Sequence, residues 1–73
     1  MNLNQAKKGD HLIIKDLGVL SRYFLNLGIL PGDRLEVVTR SPLGSPLEIK
    51  TQTGAFVALR SAEAEQVLVE RIL

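Results

Sequence analysis

Five short runs of alternating apolar and polar residues, each bounded by glycine, proline or small polar residues, constrain this chain more than any other feature. A period of two buries one side of a segment only if the backbone is extended, so each run predicts a strand. In residues 9–16, Leu12 and Ile14 share one face while His11, Ile13 and Lys15 share the other. Residues 33–40 place Leu35 and Val37 on one side and Arg34, Glu36 and Arg40 on the other. Residues 46–52 repeat the device with Leu47 and Ile49 opposite Glu48, Lys50 and Gln52. Residues 55–59 turn Val57 and Leu59 inward, and residues 66–71 do the same with Val67 and Val69.

The segment 19–27 breaks the alternation. Leu20, Phe24 and Leu27 recur at i, i+4 and i+7, the spacing of one face of a short amphipathic helix. Gly28 then occupies the position of a left-handed helix stop, from which Ile29 can fold back onto Phe24. Pro31-Gly32 suits the centre of a type II turn, and Thr53-Gly54 suits a two-residue hairpin. Ser61 is placed to cap a single helical turn through Glu63 and Ala64. The expected architecture is mainly β: a small barrel of about five strands, one helix after the first strand and a helical turn before the last. At 73 residues it is one domain, residues 1–73, with a core of modest size.

Composition narrows the chemistry. Hydrophobic residues at 45% and charged residues at 23% describe a folding domain. Nine basic and eight acidic residues are interleaved, leaving a net charge of +1 and no basic face for nucleic acid. With no cysteine, disulfides, thiolate metal sites and cysteine nucleophiles are excluded together. The start lacks a basic, apolar leader and no apolar run reaches about 20 residues, so the expected location is cytoplasmic, without membrane insertion.

Catalytic constellations are wanting. Ser21, Ser41, Ser45 and Ser61 have one histidine between them to act as base, and Glu36, Glu48, Glu63 and Glu65 read as solvated positions. Gly28, Gly32, Gly44 and Gly54 match neither phosphate-loop nor dinucleotide spacing and read as turn glycines. No enzyme, no cofactor and no metal site is expected. His11 with Asp10 and Asp16 forms the sole candidate ligand set, without a metal-binding spacing.

The pattern leaves Val38, Phe56 and Ala58 on faces opposite the interior, and Leu43 at the tip of the loop 41–46. Such residues mark either a contact surface, with a partner or another copy, or a secondary core under the helix or a terminus.

The residues Leu27-Gly28-Ile29-Leu30-Pro31-Gly32, then Pro42-Leu43-Gly44-Ser45-Pro46, then Ala58-Leu59-Arg60 followed by Glu63-Ala64, resemble the ferrous iron transport protein A family, FeoA, over essentially the whole chain. The resemblance implies an SH3-like barrel with an inserted helix, acting beside the ferrous iron permease FeoB, whose cytosolic region contains a GTPase domain. It brings no catalytic residue. Where the family's helix commonly carries a basic residue just before the glycine, this sequence has Tyr23 with Arg22 adjacent. Leu20, Arg22, Tyr23 and Leu43 are the expected partner contacts. Direct iron(II) binding, as a metallochaperone or sensor, is the alternative, and self-association through Val38, Phe56 and Leu43 is compatible with docking. The same barrel ends iron-dependent repressors of the DtxR type, but a chain beginning at Met1 without a DNA-binding helix pair argues for the transport role. With three aromatics, the sequence also lacks the groove of a peptide-binding SH3 domain.

Overall fold

The computed structural model describes residues 1–43 and 45–72. The five alternating runs form β1 (His11–Asp16), β2 (Arg34–Arg40), β3 (Leu47–Lys50), β4 (Phe56–Leu59) and β5 (Leu68–Arg71). All pair antiparallel in one sheet of order β4-β3-β2-β1-β5, wrapped around a single core. The inward residues of the expected alternation are buried: Leu12 and Ile14, Leu35 and Val37, Leu47 and Ile49, Leu59, Val69. Val67 is buried just ahead of β5, and Val57 packs against the core from the sheet's edge.

The region 19–27 is a 3-10 turn (Gly18–Leu20) leading into α1 (Ser21–Asn26), shorter than the expected helix. Phe24 is fully buried, whereas Leu27 is exposed and leaves the apolar face. The reason is the stop. Gly28, at φ +80°, donates its N–H to the Leu25 carbonyl, and Ile29 donates to that of Phe24, the paired bonds of a Schellman ending. That reversal buries Ile29 beside Phe24 and turns Leu27 outward. The Pro31-Gly32 turn closes with Asp33 N–H on the Leu30 carbonyl, and Gly32 N–H ties it to Ile14 of β1.

Three local expectations are corrected. The hairpin at Thr53-Gly54 is a three-residue loop, because Gly54 N–H bonds to Thr51 and Thr51 N–H to Ala55. The helical turn α2 (Ser61–Ala64) is capped from Arg60, whose N–H donates to Glu63 Oε1 at 2.8 Å, while Ser61 is its first residue. Arg40 does not stay on the wet face. Pairing runs Val37 with Ile49 and then Thr39 with Glu48, so Val38 is an extra residue. That bulge reverses the alternation and sets Arg40 opposite buried Leu47. From there its guanidinium donates to the Ala6 carbonyl at 3.1 Å and to Asn4 Oδ1 at 2.9 Å. Residues 1–8, which show no periodicity, contribute to the core through buried Leu3, the first residue of a second 3-10 turn (Leu3–Gln5), and Ala6 just after it. Leu3 donates to the Val67 carbonyl and Met1 accepts from Val69, so the amino-terminal segment lies along the outer edge of β5. Gly44, read as a turn glycine, lies outside the described residues.

Candidate interaction surface

Contact residues need a rigid frame behind them and water in front. The structure provides the frame for α1 in one residue: Phe24 fills the core, and the other five residues of the helix are exposed. Arg22 and Tyr23 are among those five. The Tyr23 ring meets Phe24 edge-on, with centroids 5.3 Å apart and planes at 67°, which fixes its direction while 42% of the residue stays exposed. Leu20, expected alongside them, is half-buried and packs against the core, so it presents only part of its side chain.

Leu43 is 94% exposed at the tip of the β2–β3 loop. The base of that loop is pinned. Ser41 donates its N–H to the Pro46 carbonyl, and the Ser45 hydroxyl accepts from the N–H of Ser61 at 3.2 Å. Ser61 opens α2, and Gln66, two residues past its other end, is close to Gly18: a Cβ at Gly18 would lie 2.5 Å from the Gln66 carbonyl oxygen. The base of the loop bearing Leu43 thus meets the start of α2, and the 3-10 turn before α1 meets the chain just past its end.

Sequence reasoning missed Val19, which is 85% exposed next to Leu20, and the outward positions of Leu25 and Leu30. Val19 carries a detectable signal, since it lies off the Leu20–Phe24 face. Leu27 does not, since its exposure follows from where the helix stops. Of the other outward residues expected, Phe56 and Ala58 are exposed, and Val38 is half-buried at the bulge.

The candidate metal ligands are spread and engaged. Asp10 and Asp16 flank β1 at opposite ends. Asp10 Oδ2 accepts from Lys7 N–H at 2.8 Å and from Arg71 at 3.1 Å, and Asp16 Oδ1 accepts from Gly18 N–H at 2.7 Å. The Lys7 N–H, followed by the Arg71 guanidinium, holds the Asp10 carboxyl below its ordinary range. His11 instead faces Glu36 across β1 and β2, both lining a shallow depression of about 470 Å³ with Arg34 and Lys50. Among the described residues no three His, Cys, Asp or Glu side chains converge.

The FeoA domain, as a family model, matches residues 1–71 of this sequence. The chain belongs to the FeoA family. Its solved relatives bear out the fold. FeoA from Chlorobium tepidum superimposes with a TM-score of 0.90 at 29% identity, over 100% of this chain and 71% of that one. Iron(II) transport protein A from Clostridium thermocellum gives 0.88 at 32%, over 99% of this chain and 46% of that one, so this chain spans less than half of that protein. FeoA from Stenotrophomonas maltophilia, solved with zinc and described as a prokaryotic SH3 domain protein, gives 0.82 at 23%, over 96% and 89%. At that identity the likeness concerns the fold alone: mainly β, SH3-like, as expected. No curated protein matches the sequence. As a member of this family the chain is associated with ferrous iron transport, and no helix among the described residues is long and apolar enough to cross a membrane.

Proposed function

We propose that this chain is a non-catalytic, cytoplasmic accessory protein of ferrous iron uptake that docks on the cytosolic, GTPase-containing region of the FeoB permease and modulates it. The observation that carries this reading is Leu43. A leucine 94% exposed on a loop pinned at its base is apolar surface held ready for a partner. Arg22 and Tyr23, exposed on α1, are residue types that anchor interfaces. Leu20 serves the surface from behind, supporting the helix against the core.

Docking alters the permease only if the two nucleotide states bind this chain with different affinity. Calorimetric titration into the isolated cytosolic region, with and without a GTP analogue, is expected to show saturable binding that changes with nucleotide. Leu43→Asp removes the apolar contact and inserts a charge. It should weaken binding by about tenfold or more, the equivalent of about 1.4 kcal/mol, with the melting curve unchanged. Unaltered affinity in that variant would exclude the loop from the interface, and absence of any binding would remove the docking reading.

A further inference from the structure

The two ends of the sheet are treated differently. Beyond β5, the segment Met1–Leu3 supplies backbone hydrogen bonds to Val67 and Val69. Beyond β4, among the described residues, no backbone group bonds to the outward N–H and C=O of Phe56 or Ala58. Their direction follows from the register. Thr51 donates its N–H to Ala55, which makes that pair and its second neighbours, Ile49 with Val57 and Leu47 with Leu59, the hydrogen-bonded pairs of the ladder. Phe56 and Ala58 alternate with these, so their main-chain groups point away from β3. Apart from its shortness, the edge carries none of the devices that keep strands apart: Phe-Val-Ala-Leu has no charge, no proline and no bulge.

We propose that β4 pairs antiparallel with β4 of a second copy of this chain, about a two-fold axis through Val57. A second copy fits for three reasons. In that register Phe56 forms a hydrogen-bonded pair with Ala58 of the partner subunit, and Ala58 with Phe56 of the partner subunit, so all the outward groups of the edge find partners together. On the outer face the large Phe56 ring, 60% exposed, lies over the small Ala58 of the partner subunit, while Val57 meets its own symmetry mate on the core side. Charge agrees as well: Lys50 is opposite Phe56 and Glu48 opposite Ala58 in this chain. Each row across the joined sheets thus begins with Lys50 and ends with Glu48 of the partner subunit, and no like charges are opposed. A continuous ten-stranded sheet results from two five-stranded ones. This contact uses neither α1 nor the Leu43 loop, so it stands independently of docking to a permease.

Four-residue edges bury little area compared with stable dimers, so association is weak and appears at high concentration. Sedimentation equilibrium of the full chain up to about 1 mM should show the mean mass rising from 8.0 kDa toward twice that value. Over the same range, amide exchange of Phe56 and Ala58 should slow while that of α1 is unchanged. Ala58→Pro removes an outward donor without touching the β3 ladder, and Ala58→Lys sets a long charged side chain where the Phe56 ring of the partner subunit would lie. Each should hold the mass at the monomer value, the second serving if the first disturbs the strand. A protein that stays at 8.0 kDa throughout, a parent dimer in which the Phe56 and Ala58 amides still exchange freely, or a dimer that survives both Ala58 variants overturns the proposal.

Discussion

A Cβ at Gly18 would stand 2.5 Å from the Gln66 carbonyl oxygen, and the residue's φ is +66°. Two separate costs meet there, a left-handed backbone and a collision with main chain that cannot swing aside. Gly32 carries the first cost without the second, with φ +90° and open space around it. Gly18→Ala should therefore lower stability by about 3 kcal/mol or more, against about 1–2 kcal/mol for Gly32→Ala, read from urea midpoints. Asp10 supports a prediction of pH dependence. Its carboxyl is depressed in the folded chain, first by the Lys7 N–H and then by Arg71. It binds protons less readily folded than unfolded, so it adds stability above the ordinary carboxyl value of about 3.9 and loses it as pH falls through the lower folded value. In thermal melts between pH 7 and pH 2, Asp10→Ala should be less stable than the parent at neutral pH, with the two curves converging in acid. Because both partners of the Asp10–Arg71 bridge meet solvent, salt should narrow the difference as well.

At six residues, α1 is far too short to be stable alone, and it persists because Phe24 anchors it and the Gly28–Ile29 reversal closes it. Phe24→Ala should cost about 3–5 kcal/mol and release the helix amides to exchange. Leu27→Asp, on a residue the Schellman ending turns outward, should change stability by about 0.5 kcal/mol or less. The contrast between these two leucine-spaced positions shows what periodicity can and cannot tell. Spacing alone marks both as one face, and the helix stop decides which remains on it. The strands divide in the same way. Alternation identified every inward residue of β1 and β3 and failed at Arg40, where one inserted residue of β2 reverses the sides.

The whole molecule depends on an amino-terminal segment that carries no periodic signal. Leu3 is fully buried, and its main chain joins β5 while Arg40 of β2 reaches Asn4 and Ala6. A domain of this size has a total stability toward the lower end of about 5–15 kcal/mol. Leu3→Ala should remove about 2–5 kcal/mol of it, enough to lower the melting temperature by about eight degrees or more at about 4–8 °C per kcal/mol. Calorimetry would read that shift directly. The same scale separates the two kinds of information in the chain. Local chemistry determined the mainly-β class, the five strands, the Gly28 stop and the exposure of Leu43, because turn residues and a period of two act over a few neighbours. The family motifs, read in order, carried the link to ferrous iron transport. Only the tertiary structure decided that Leu3 is core, that Arg40 turns inward, that Asp10 belongs to Arg71 and that the base of the Leu43 loop is held by Ser61 of α2. Each of those depends on segments far apart in sequence meeting around one core, and no local pattern encodes which partner will arrive.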